Sequence, residues 1–253
     1  MASLAQYALL ALCALAAPAG ARAGAPFVTD DPEPVAVGHW EVFLAAQPSH
    51  DPGGWSGTAP FVDANYGAAE NVQLHLIVPF VFDAPKDGPR RYGYGDTELG
   101  VKFRFVQETE HRPQVGVYPL LVVPTGNEAR GLGGGRVQAF LPVWVQKSWG
   151  AAERAWTAYG GGGYWINPGS GNRDWWFVGA LLQRRLSSWL TVGGEVFHKT
   201  AQETERQSST WLNGGGIVDL SETVHLLASA GHNVQGESGF QAYAGVRFNF
   251  ESP

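Results

Sequence analysis

Gly95-Asp96-Thr97-Glu98-Leu99-Gly100-Val101-Lys102-Phe103-Arg104-Phe105-Val106 has two characters, one on each parity. The odd positions Thr97, Leu99, Val101, Phe103 and Phe105 are mostly apolar, and the even positions Asp96, Glu98, Gly100, Lys102 and Arg104 are polar or small. Successive side chains on a strand point to opposite faces, so this stretch predicts a strand between two different solvents. The same alternation returns in 239–250, where Phe240, Ala242, Ala244, Val246, Phe248 and Phe250 oppose Gln241, Tyr243, Gly245, Arg247 and Asn249. It recurs in 72–81, 190–199 and 223–232.

Extending the pattern predicts strands near 39–47, 59–66, 72–82, 94–106, 113–124, 136–148, 155–166, 174–186, 190–199, 208–220, 223–232 and 239–250. Connections at 48–58, 83–93, 125–135, 167–173, 200–207 and 233–238 are longer and rich in Gly, Pro, Asn and charge. Those at 67–71, 107–112, 149–154, 187–189 and 221–222 are short. A soluble sandwich would alternate too. Strands of about 9 to 11 residues, with long loops at one rim and tight turns at the other, instead predict an antiparallel transmembrane β-barrel of about 12 strands. The tight turns are then periplasmic and the long loops extracellular. On the apolar parity, Trp40, Tyr66, Phe105, Trp149, Trp156, Trp189, Phe248 and Phe250 fall near the tight-turn rim, and Phe80, Trp176 and Phe240 near the other. Two aromatic belts are expected at the two membrane–water boundaries.

Composition agrees. Residues 1–23 hold a short apolar run, Leu9 to Ala17, then Pro18, Gly20 and Ala21-Arg22-Ala23, the form of a signal peptide cut after Ala23. Cys13 lies inside that run, and a bulky Leu12 before it argues against lipidation. The mature chain then has no cysteine, which excludes disulfides and thiolate metal sites. With Arg22 removed, 16 basic residues face 23 acidic ones, a net charge of about −7. An acidic chain of this kind is a poor nucleic-acid partner.

Residues 24–38 precede the first strand as an extended periplasmic arm carrying Asp30, Asp31 and Glu33. Its acidic, proline-stiffened sequence suits either a calcium ligand set or, preferred here, a segment lying across or inside the barrel mouth against basic lumen residues. The barrel occupies 39–253. Polar residues on the inward parity are the candidate solute path: Glu41, Asp63, Asn65, His75, Glu98, Lys102, Arg104, Gln138, Arg185, Glu195, Lys199 and Arg247. A lipid-facing Arg or Lys at mid-depth costs about 2 to 4 kcal/mol, which sends these groups inward. Tyr118, Phe140, Trp144, Trp165 and Tyr243 share that parity and would narrow the bore.

Catalytic signatures were sought without success. No Gly-x-Ser-x-Gly occurs, and the histidines lack zinc-site spacing. Gly131-Leu132-Gly133-Gly134-Gly135-Arg136 lacks the Gly-Lys-Ser/Thr of a phosphate loop and precedes a strand, so it is read as a surface loop. No cofactor is indicated.

Pro26-Phe27-Val28-Thr29-Asp30-Asp31-Pro32-Glu33-Pro34, then Gly38-His39-Trp40-Glu41, form a specific sequence signature. Asn65-Tyr66-Gly67 before Val72-Gln73-Leu74, Gly95-Asp96 before Gly100-Val101-Lys102, and Pro124-Thr125-Gly126 add to it. Across nearly the whole mature chain the sequence resembles outer-membrane proteins of the meta-pathway of phenol degradation family. The resemblance implies a barrel with a transport role toward aromatic or other small hydrophobic compounds. One departure is the end, where Glu251-Ser252-Pro253 follow the Phe250 that assembly machinery would read. The expected function is a passive outer-membrane channel for small hydrophobic or aromatic molecules. The alternatives are a structural barrel with a plugged lumen and loop-mediated binding, and a membrane-embedded lipid hydrolase. Expected partners are outer-membrane lipid, lipopolysaccharide, the barrel-assembly machinery and a small-molecule solute.

Overall fold

The computed structural model describes residues 24–252. The expected leader lies outside them. The strands are β1 (His39–Asp51), β2 (Gly54–Ala69), β3 (Val72–Pro85), β4 (Arg91–Tyr94), β5 (Thr97–Val106), β6 (Gln114–Val117), β7 (Leu120–Val123), β8 (Gln138–Trp149), β9 (Trp156–Ile166), β10 (Trp175–Ser187), β11 (Leu190–Lys199), β12 (Ser209–Asp219), β13 (Val224–Gln235) and β14 (Phe240–Glu251). Each pairs antiparallel with its neighbours, and β1 pairs with β14 from His39↔Glu251 to His50↔Phe240, closing the sheet. Closure is what hydrocarbon demands, because an open edge would leave backbone N–H and C=O groups without partners.

The barrel has 12 crossings, because β4 with β5, and β6 with β7, each form one interrupted strand. Gly95 and Asp96 break the first, and Tyr118 and Pro119 break the second. Proline cannot donate to the ladder. The Pro119 carbonyl still accepts from Val101, at 3.2 Å. One boundary differs clearly from expectation. Residues 48–58 are not a loop but the outer part of a long hairpin, with Ser49 opposite Ser56 and only residues 52–53 at its tip. Pro48, Gly57 and Pro60 look like breakers. The hairpin absorbs them by slipping register between Ala45 and Gln47 on β1 and between Thr58 and Phe61 on β2.

The two faces match the parity. Leu99, Val101, Phe103, Phe105, Leu141, Val143 and Val145 are exposed on the outer wall, whereas Lys102, Glu195 and Arg247 are buried within. Both aromatic belts are present. At the short-turn rim Trp40 packs 4.7 Å from Tyr66 and 6.5 Å from Phe250. At the long-loop rim Phe80 packs with Tyr92 and Tyr94, Trp55 with Phe240, and Tyr164 with Trp176. Val143 lies at mid-strand on the outer wall. Val143→Arg is expected to destabilise the folded barrel by about 2 to 4 kcal/mol, measured by denaturant titration in vesicles, while inward changes do not carry this lipid penalty.

Candidate functional site

The inner wall is divided by chemistry. One side, formed by β14 and β1 to β5, carries a polar network beside a buried cluster of Phe43, Phe61 and Tyr243. Asn65 donates to the Asp63 carboxylate at 2.8 Å, and the Asn65 carbonyl accepts from Gln73 at 2.6 Å. The His75 ring spans from Asp63, 3.2 Å from Nδ1, to Glu98, 3.0 Å from Nε2. Arg247 lies 3.5 Å from Glu41. Arg104 donates to Asn71 and Gln114.

The other side, which also holds Gln146, Gln183, Glu195 and Asn213, is aromatic toward the long loops. Rings from β8 to β12 run nearly face to face: Phe140 to Trp165 at 4.7 Å, Trp165 to Trp175 at 5.3 Å, Phe177 to Phe197 at 5.7 Å, and Phe197 to Trp211 at 6.1 Å. An edge contact of 6.3 Å between Phe140 and Phe177 joins the two runs. The row occupies the half of the bore nearer the long loops. Glycines make room for it. A side chain at Gly161 would strike the Trp144 ring and the Val143 carbonyl, and one at Gly163 would strike Phe140. The glycine run 160–163 thus leaves its space on the inner wall to these rings.

Residues 24–35 lie inside the short-turn half of the bore. The arm enters from the short-turn rim, reaches about mid-depth at Lys102 and Glu195, and turns back there, the Phe27 N–H donating to the Gly24 carbonyl at 3.2 Å. Starting from the short-turn rim, the Val35 N–H donates to Gln73 at 2.9 Å. The Glu33 carboxylate accepts from Gln114 and Gln146 at 3.2 and 3.0 Å. Asp30 and Asp31 lie 3.0 and 3.5 Å from the Lys102 ammonium. The Glu195 carboxylate accepts the Val28 and Thr29 main-chain N–H groups at 2.9 and 2.8 Å, and Asn213 donates to it at 2.6 Å. Folding back from there, the arm accepts from Ser229 at the Pro26 carbonyl, and the Gly24 N–H reaches the Tyr159 hydroxyl, toward the short-turn end of β9, at 3.3 Å. Thr29, Asp31 and Pro32 are wholly buried. A segment with its own unpaired amides can sit at membrane depth only where the wall supplies partners, and the wall does so here. Gly179 and Gly193 keep the wall thin beneath Thr29 and Phe27.

Of the twelve expected lining residues, Lys102 and Glu195 grip the arm directly. Glu41, Asp63, Asn65, His75, Glu98 and Arg247 form the polar wall. Gln138 stands at the outer end of β8. Lys199 lies over the Phe197 ring, 5.3 Å from its centroid. Arg104 and Arg185 are bound near the short-turn rim, Arg185 to the Ser187 and Ser188 carbonyls. The sequence reading missed Trp175, Phe177, Phe197 and Trp211 as lumen residues, together with Gln114 and Gln146 as arm contacts.

A closed antiparallel sheet with an apolar outer wall, aromatic rims and a polar and aromatic interior defines an outer-membrane β-barrel. Residues 54–250 match the family model described as "Putative MetA-pathway of phenol degradation", and the chain belongs to that family. Among solved structures it is similar to an outer membrane channel of Pseudomonas putida F1, at 16% identity and TM-score 0.69, covering 87% of this chain and 98% of that one. It is also similar to the translocator domain of the autotransporter NalP from Neisseria meningitidis, at 11% identity and TM-score 0.53, covering 85% and 90%. The NanC porin matches at 7% identity and TM-score 0.53, covering 81% and 98%. At these identities the likeness concerns the fold. No curated protein sequence matches.

Proposed function

We propose that the protein is a passive outer-membrane channel for small aromatic or hydrophobic molecules, with residues 24–35 as a resident gate. The observation that carries this reading is the inner row of stacked rings from Phe140 to Trp211. A barrel needs apolar groups outside, and the filling of a bore has no need of a continuous stacked strip opposite a polar wall. Aromatic faces attract planar solutes by offset stacking and edge contacts, each worth about 0.5 to 1.5 kcal/mol beyond area burial. The polar wall gives a hydroxyl or similar substituent its partners. Family membership and the fold shared with the Pseudomonas putida channel support the same reading. Outer-membrane lipid surrounds the barrel, lipopolysaccharide meets the long-loop rim, and the assembly machinery inserts the chain after its leader is removed.

The test uses protein lacking residues 24–35 in planar bilayers. A small neutral aromatic added to the long-loop side is expected to interrupt the ion current, and a sugar of similar size to do so far less. Trp165→Ala with Phe197→Ala should shorten the interruptions roughly tenfold, the loss of two stacking partners. Equal interruption by aromatic and sugar would remove the aromatic row from the mechanism.

The burial of Thr29 and Asp31 favours a second reading, a structural barrel with a permanently filled lumen whose loops bind a partner. That reading requires the shortened protein to stay silent.

A further inference from the structure

The glycine-rich segment 131–135 belongs neither to the arm nor to the aromatic row. It belongs to the connection 124–137 between β7 and β8, the longest between neighbouring strands. Most of this connection is exposed, but it is tied to the barrel at several points. The Asp96 side chain comes from the break between β4 and β5. Its carboxylate accepts the Gly126 N–H at 2.9 Å and the Gly134 N–H at 2.6 Å, one from each limb of the loop. Thr125 adds a hydroxyl bond to the Gly95 carbonyl at 3.0 Å, and accepts the Thr97 N–H at 2.9 Å. Leu132, at the turn, is only 2% exposed. It packs on the inward position Gly93 of β4, where an added Cβ would lie 3.0 Å from the Leu132 Cδ1 atom.

The glycines are what this path requires. Gly131 and Gly135 have φ of 68° and 65°, in the left-handed region. A side chain at Gly133 would strike the Asp96 carboxylate, and one at Gly126 the Leu132 carbonyl. Gly134 passes above Gln138, the candidate lining residue at the top of β8, with the Nε2 atom of Gln138 3.0 Å from where its Cβ would stand. An apolar leucine buried at the tip of a surface loop, and a carboxylate holding both limbs, together describe a cover and its latch.

We infer that residues 124–137 form an outer lid over the β4–β8 side of the long-loop mouth, with Asp96 as the latch and Leu132 as the stopper. The lid stands at the opposite end of the bore from the arm, and the aromatic row lies between them. What the lid admits rests on the channel reading above; its closed position does not. Main-chain donors to a carboxylate are strong when enclosed and are readily exchanged for water once the loop lifts. Entry then requires the two Asp96 bonds to break together.

The test reads access and not passage. Cells expressing the full chain carry Gln138→Cys, and a membrane-impermeant maleimide is applied from outside. The chain without this substitution supplies the background. With the lid intact, labelling is slow. Asp96→Ala is expected to speed it at least about tenfold, as loss of two charge-assisted bonds predicts, with Asp96→Asn between the two. Folding is checked by heat-modifiable migration, and Leu132→Ser supplies a second variant if Asp96→Ala does not fold. Equal labelling rates in folded barrels would overturn the lid. Silence of the arm-shortened protein carrying Asp96→Ala would sink the channel reading and leave the labelling result standing, so the two failures are distinguishable.

Discussion

Protein lacking residues 24–35 is expected to conduct where the full mature chain is nearly silent, with mean current in a planar bilayer rising at least about tenfold. The arm is the part of the filling that does not belong to the wall. Its amides are satisfied by Gln73, Glu195 and Tyr159, and its carboxylates by Lys102, Gln114 and Gln146. None of these contacts is a rung of the barrel, whose ladder runs unbroken through β14 and β1. Deletion therefore leaves the sheet closed and the bore wet, and folding is checked on the same samples by heat-modifiable migration. The freed partners are polar and inward-facing, so water replaces the arm without leaving buried orphans. Silence of the shortened, folded barrel even with Asp96→Ala added to unlatch the outer lid would mean that Trp144, Tyr118 and their neighbours block the bore unaided.

Lys102→Met should release the arm without deleting it. Lys102 is the cation beside both Asp30 and Asp31, and Asp31 is 1% exposed. Removing one partner of a buried ion pair typically costs about 3 to 5 kcal/mol, because the remaining charge is left buried and uncompensated. Here that cost falls on the seated arm and not on the wall, since an unseated Asp31 regains water. The seated fraction should fall by roughly a hundredfold or more. Digestion with a protease that cuts before aspartate then removes the segment ahead of Asp30 from the variant and spares the parent. The double variant Lys102→Met with Asp31→Asn should recover much of the protection, because it removes the stranded charge as well. Equal digestion of parent and Lys102→Met would show that the ion pair does not hold the arm.

The strands with one wet and one greasy face were plain in the sequence. In 95–106 and 239–250 the lumen side is polar, so period two stands out and the inward residues Lys102 and Arg247 could be named. Along β10 the contrast disappears. Trp175-Trp176-Phe177-Val178 alternates inward and outward in the fold, but both faces are apolar, so polarity cannot mark which rings enter the bore. The ring row was hidden for this reason. Carrying the parity of Gln183 and Arg185 back along β10 would have placed Trp175 and Phe177 inside, with no new information needed.

Two other features were invisible for different reasons. The arm's acidic residues pointed to basic partners, but a chain without secondary structure has no periodicity from which to read its path. Glu195 holds it through main-chain N–H groups that any sequence would offer. The hairpin of β1 and β2 was cut short because Pro48, Pro52, Gly53, Gly54 and Gly57 crowd 48–58 with residues that usually end strands, and only paired register shifts on adjacent strands reveal how the ladder survives Pro48 and Gly57. In the loop 124–137 the glycines were legible as turn formers, whereas the Asp96 carboxylate that organises them comes from about thirty residues earlier in the chain.

Flux is the most direct test of the central claim. Vesicles containing the full mature chain or the arm-shortened protein are mixed with a small neutral aromatic, and its entry is followed without any gradient of charge or energy source. The account predicts entry through the shortened protein well above that of protein-free vesicles, proportional to concentration difference and slowed by Trp165→Ala with Phe197→Ala. Entry at the protein-free rate, from barrels verified as folded and inserted, would contradict it.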